Sequence, residues 1–225
     1  MRSYQILSAL LQYPESALLE ALPEIHAELE HCSTEVQTSI TPLLAYLAQH
    51  DLIELQENYV ATFDRNRTCS LHLFEHVYGE SRERGPAMVS LMQEYTNHNF
   101  LVVADELPDF LPMFLEFLGQ TDEATAAEFL GESIHVIARI GDKLGEGNSP
   151  YHGVFTALRS LTDVEPLPLA EPPVRDMDEV MEQFGSGVDG IEPLLSPSLS
   201  HQATTTQTIQ FYPRTAAPAG ASQGA

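Results

Sequence analysis

The run HLFEH places His72, Glu75 and His76 in the spacing H-x-x-E-H. On a helix the two imidazoles would lie one turn apart and could share a zinc ion, with Glu75 as general base for its water. Such a site needs a third protein ligand, usually a carboxylate on a following helix, and this chain offers acids nearly everywhere. Three matching letters among nine histidines are a weak pattern. The competing expectation is that Leu71, Phe74 and Val77 turn into a core while both histidines stand at its edge. Cys69 has those histidines nearby, but nothing sets up an oxyanion hole or an orienting third group, so it reads as a buried structural thiol. Neither a G-x-x-x-x-G-K-[ST] phosphate loop nor a G-x-G-x-x-G fingerprint occurs. An enzyme is not expected, nor a resident metal or cofactor; a zinc-dependent hydrolase using residues 72–76 stands as the alternative.

The same stretch, YVATFDRNRTCSLHLFEHVYGESRERG (59–85), suits recognition better. It holds four of the ten basic residues in a chain of net charge −23. Arg65 and Arg67 follow the end of one expected helix, Arg82 and Arg84 precede another, and Glu75, Glu80 and Glu83 lie between. Guanidinium forks pair bidentately with carboxylates, so the segment could brace itself by internal ion pairs. Alternatively it forms a polar rim around an apolar groove that takes a partner peptide. Tyr59, Phe63, Phe74 and Tyr78 would be aromatic anchors there, and Met88 and Met92 would give adaptable packing. Asp105, Glu106 and Asp109 gather around Pro108 at a helix start, either as caps or as an acidic rim for a basic peptide.

Helical periodicity must position these groups, and it runs through the first 160 or so residues. Tyr4, Leu7 and Leu11 share a face. Leu18, Leu22, Ile25 and Leu29 form a stripe that Pro23 should divide by opening a new helix. Val36, Ile40, Leu43, Leu44 and Leu47 form another. Asp51 and Glu54 have capping-box spacing ahead of Leu52, Leu55, Tyr59 and Phe63. Pro86 suits a helix start, with Met88, Leu91, Met92 and Tyr95 facing inward. Phe110, Leu111, Phe114, Leu115 and Leu118 make the next inward face, which Gly119 should end. A long helix is expected from about Asp122 to Leu144, and Ser149–Pro150 should open a last one. With no sustained period-2 alternation, the expected fold is an all-α bundle of eight or more helices over residues 1–162. Residues 163–225 carry eight of fifteen prolines and nine acids against Arg175 and Arg214. They are expected to be an acidic, mostly disordered tail, with MDEVMEQFG as a short helix and TIQFYP as an extended patch.

Composition narrows the partners. Thirty-three acidic residues face ten basic ones, of which Lys143 is the one lysine. That field repels nucleic acid and anionic membrane surfaces and favours basic peptides. Cys32 and Cys69 form no CxxC pair, no apolar run is long enough to span a bilayer, and the amphipathic start is broken by Pro14. A cytoplasmic protein with reduced thiols is expected.

The segment from Phe63 to Val89 closely resembles the NarJ-type nitrate reductase assembly chaperones, within the wider TorD/NarJ family of redox enzyme maturation proteins. FDRNR (Phe63 to Arg67), SLHLFEHVYGESRERG (Ser70 to Gly85) and AMV (Ala87 to Val89) match their signature. Tyr59 and Phe63 fit the family's Y-x-x-x-F helix end. Glu106, Pro108 and Asp109 fit its E-x-P-x-D-H element, with Phe110 where the wider family often has histidine. The resemblance weakens outside the signature and extends over about residues 1–160.

It implies an all-helical cytoplasmic chaperone, not an enzyme. Its partner would be the N-terminal region of the nitrate reductase alpha subunit, with molybdenum cofactor delivery proteins as further partners. It would hold that apo-subunit ready for molybdenum cofactor and iron–sulfur insertion before membrane docking; a chaperone for another molybdoenzyme is the sibling alternative. Client-binding residues are expected among Tyr59, Phe63, Asp64, Arg65, Phe74, Glu75, His76, Tyr78, Glu80, Arg82, Arg84, Glu106, Pro108 and Asp109.

Overall fold

A computed structural model describes residues 2–102 and 106–169. Most of the tail, including the MDEVMEQFG and TIQFYP segments, and Asp105 lie outside the described residues.

Nine α-helices are found among the described residues: α1 (Arg2–Leu10), α2 (Ser16–Leu29), α3 (Thr34–Gln49), α4 (Leu52–Tyr59), α5 (Leu73–Tyr78), α6 (Arg84–Asn97), α7 (Leu111–Gln120), α8 (Glu123–Glu146) and α9 (His152–Ser160). One β-bridge, between His72 and Phe110, is the β pairing described. The fold is all-α. No described helix is long and apolar enough to cross a membrane.

Caps explain several starts. Ser33 accepts from the Val36 amide at the head of α3, and Asp51 from Glu54 at the head of α4. Asp122 accepts from Ala124 and Thr125, and these bonds hold its carboxyl below the usual range. The stripes of α3 and α8 are buried as their periodicity predicts.

Four expectations need correcting. Pro23 lies inside a continuous α2 and does not divide it, with its own ring exposed on the helix surface. Gly119 is buried one residue before the end of α7, where it packs and does not stop the helix. Met92 is exposed while Ala87, Leu91 and Tyr95 make the buried face of α6. Phe110 precedes α7 in extended conformation and is only partly buried, while Phe117 joins Leu111, Phe114, Leu115 and Leu118 in the core.

Two glycines set the position of α9. A Cβ on Gly141 would stand 2.8 Å from the Cβ of Phe155, bringing α8 against α9. A Cβ on Gly153 would collide with the Ser39 carbonyl of α3. So α9 fits between α3 and α8, and Tyr151 at its head is pressed against the end of α4.

Candidate functional site

The helix of α4 does not stop at Tyr59 but loosens into a π turn, Val60–Asp64, closed by the Arg65 amide donating to the Val60 carbonyl at 3.0 Å. Single π turns often mark functional positions because they rotate side chains off the regular helical face. Here Tyr59 and Phe63 meet edge-on at 4.9 Å, and Tyr151 packs against both, at 6.0 and 4.9 Å. The Tyr59 hydroxyl donates to the Leu11 carbonyl at 2.9 Å, and burial pushes its ionisation far up.

Opposite this aromatic floor, α5 is anchored from outside its own segment. Its first two free amides, Leu73 and Phe74, donate to the carbonyl and carboxylate of Asp109, both at 3.0 Å. Asp109 is thus an N-cap supplied from 35 residues away. The Leu111 amide completes the junction by donating to the Leu71 carbonyl at 2.8 Å. His72 Nδ1 lies 3.3 Å from the Asp109 carboxylate and an Arg84 nitrogen 3.9 Å from it. The hydrogen bond to Asp109 holds the His72 imidazolium to higher pH than usual, against the opposing effect of burial. At the other end of α5, Gly79 takes φ 52° and ψ −128°, a backbone that L side chains rarely adopt.

Between these two supports lies a cleft of about 270 Å³, lined by Tyr59, Phe63, Asp64, Ser70, Leu71, His72, Glu75 and Phe110. Ser70 Oγ donates to Glu75 Oε2 at 2.6 Å across one wall, and His72 lies against Phe110 at 5.4 Å on the other. Aromatic edges with a lip of two carboxylates and an imidazole make a receptacle for an apolar group carrying a donor or a positive charge.

The cleft therefore joins Tyr59, Phe63, Asp64 and Glu75, and Arg65 follows at its edge. It leaves out the others. Phe74 is fully buried with Tyr78 edge-on at 5.4 Å, inside the bundle and away from the cleft. Pro108 is buried and its carbonyl accepts from the Tyr95 hydroxyl at 2.6 Å. Asp109, expected at an acidic rim, is 0% exposed and holds backbone in place, whereas Glu106 is exposed. Glu80 and Arg82 are exposed beyond α5. Among the described residues, the arginines form no ion pair with Glu80 or Glu83. Arg84 turns to Asp109, and Arg65, Arg67 and Arg82 make no ion pair among the described residues. Met88 and Met92 do not line the cleft.

The zinc reading requires His72 and His76 on one helical face, but α5 begins after His72, which is extended. His76 is buried and its Nε2 donates to the Ser70 carbonyl at 2.8 Å, so the two imidazoles bond in different directions. No group of three potential ligands suited to a metal exists among the described residues. Cys69 is buried, and that burial pushes its thiol pKa up, which keeps it protonated.

The expected client-binding residues did not include Ser70, Leu71, His72 or Phe110, which line the cleft, nor Tyr151 behind its floor. The His72–Phe110 bridge pairs residues far apart in the chain, and no local period reports it. The local signal for Tyr151 is an aromatic beside the Ser149–Pro150 turn.

Bundle, π turn and cross-capped short helix define an all-helical protein that carries a small aromatic cleft. The chain belongs to the nitrate reductase delta subunit family, which matches residues 29–157. It is 37% identical over 161 residues to the nitrate reductase molybdenum cofactor assembly chaperone NarJ of Escherichia coli K12, covering 70% of this chain and 68% of that protein. It is similar also to the probable assembly chaperone NarW of the same organism, 34% identical with 72% and 68% covered. A probable NarJ of Bacillus subtilis is 26% identical, with 71% and 89% covered. These relatives are named as assembly chaperones, and the chain is a NarJ-type assembly chaperone by family.

Proposed function

We propose that this protein binds the apo catalytic (alpha) subunit of a respiratory nitrate reductase through that subunit's N-terminal region. It keeps the subunit competent for molybdenum cofactor and iron–sulfur insertion before membrane docking, and it works in the cytoplasm. The observation that carries the reading is the cleft itself: the family segment around residues 59–76 folds into both of its walls. An amphipathic peptide would place an apolar side chain against Phe63 and Phe110, with basic residues toward Asp64 and Glu75. Arg65 and Arg82, exposed at the surface, would meet client carboxylates, and the net charge of −23 would speed encounter with a basic peptide.

The test is calorimetric titration of the full chain with a peptide copying the N-terminus of its cognate alpha subunit, at low and moderate salt. Binding with a negative heat-capacity change that weakens with salt is expected, and Phe110→Ser should lower affinity about tenfold or more. Absence of binding by folded protein at both salt concentrations, or full affinity in Phe110→Ser, would move the contact away from this cleft.

A further inference from the structure

Residues 163–225 divide sharply by charge. Up to Glu192 they carry nine acids against Arg175, but from Pro193 to Ala225 they carry none, the longest acid-free run in the chain, with Arg214 as its cation. Within that run TIQFYPR (208–214) sets its two aromatic residues, Phe211 and Tyr212, next to Ile209 and Arg214. An acidic spacer is repelled by the acidic body, whereas an acid-free segment bearing a cation is drawn to it. Aromatic groups followed by a positive charge are also what the Phe63–Phe110 cleft suits, with apolar walls and a lip carrying Asp64 and Glu75.

The described chain leads toward that cleft. Beyond α9, Leu161 and Leu169 pack on the core, and between them the chain runs along α8 without regular structure. Val164 stands against Gly131, where a Cβ would lie 3.1 Å from the Val164 Cγ2, and the Leu167 amide donates to His135 Nδ1 at 2.9 Å. Meeting Gly131 before His135, the chain heads for the C-terminal end of α8. That end is close enough to the 3-10 turn Arg67–Cys69 for Lys143 and Glu146 to act on the Cys69 thiol, and Ser70 and Leu71 of the cleft follow directly. About forty residues separate Leu169 from Phe211, enough to span about 60 Å even at the rise of a helix. A body of this size has a radius of gyration of about 15 Å, so the cleft is within reach.

We propose that residues 208–214 of this same chain occupy the cleft until a client displaces them, with Phe211 and Tyr212 against Phe63 and Phe110 and Arg214 toward Asp64 and Glu75. The proposal rests on the reading of the cleft as the client site and adds a means of regulating it. A tethered segment acts at an effective concentration near the millimolar range, so even a weak contact competes with free peptide. The client's apparent affinity is then its intrinsic affinity reduced by the fraction of molecules whose cleft stands open. Peptides with poorer anchors are turned away.

The test compares the isotope-labelled full chain with a variant carrying Phe211→Ser, Tyr212→Ser and Arg214→Gln, first without added peptide, by amide chemical shifts at low salt. The substitutions should shift the amides of Leu71, His72 and Phe110. A synthetic peptide of residues 206–216, added to the variant, should move them back toward their wild-type positions. The variant should also bind the alpha-subunit peptide about three- to tenfold more tightly than wild type. Unmoved cleft amides, or equal client affinity in the two proteins, would overturn the proposal and leave the client reading standing. Cleft amides that move while the alpha-subunit peptide binds neither protein would uphold the tail contact and overturn the client reading instead. Cleft shifts that depend on protein concentration would assign the segment to a second copy and overturn the contact within one chain.

Discussion

At the scale of single residues, Asp109 and His72 decide how the cleft is held. Asp109 satisfies two helix-start amides and faces His72 and Arg84 while fully buried. Asp109→Ala should destabilise the protein by about 1–3 kcal/mol, because it leaves the Phe74 amide and part of Arg84 buried without an acceptor. Denaturant titration measures this, and a change within a few tenths would show that water replaces the carboxylate. The pH dependence follows from His72, whose protonated form is favoured in the folded state by Asp109. Its stabilisation is complete below the unfolded histidine value of about 6.5 and is lost as pH rises through the higher folded value. Wild type should therefore exceed His72→Gln most at about pH 5.5, with the gap closing on the alkaline side; a gap that widens there would refute the assignment. His135 has the opposite sign. It is nine-tenths buried and its Nδ1 accepts from the Leu167 amide at 2.9 Å, so burial lowers its ionisation. Hydrogen exchange at Leu167 should accelerate as pH falls below about 6.5, after correction for intrinsic rates.

At the scale of elements, close approaches and one unusual turn matter more than helix propensity. α9 sits where Gly141 and Gly153 leave room, and an added methyl at Gly153 meets backbone that cannot swing away. Gly153→Ala should cost about 1–3 kcal/mol or more, by overpacking, and loosen Tyr151 behind the cleft floor. Gly79→Ala acts differently: it forces a φ of 52° on a residue with a Cβ and should fray the end of α5. Thermal unfolding read alongside peptide affinity separates the two, since Gly79 borders α5 and Gly153 does not. Much of this level was legible in advance. The faces of α3 and α8 follow their apolar spacing, and Asp51 and Asp122 announced their helices. Pro23 and Gly119 misled because each was weighed as a local breaker, whereas exposure on one side and burial on the other decided its effect.

At the scale of the whole molecule, the charge of −23 acts on everything. Self-repulsion among so many carboxylates should make the fold more stable as salt screens it. The melting temperature is expected to rise by several degrees between about 10 and 200 mM sodium chloride, where the Debye length falls from about 30 Å to under 10 Å. A flat or falling curve would mean that local pairs, not the net field, dominate. The cleft meets that field with two carboxylates, an imidazole and aromatic edges.

What the sequence determined by itself was local in origin: helical periods, capping residues, the acidic field and the family segment from Phe63 to Val89. These depend on neighbours within a few positions, or on composition, and need no knowledge of folding. Only the tertiary structure decided which signature residues line a surface and which are buried beneath it. Phe74, Pro108 and Asp109 went inward because pairing of residues 71–73 with 109–111 closes that junction. That pairing spans more than thirty residues, and its energy appears only when α5 and α7 have met.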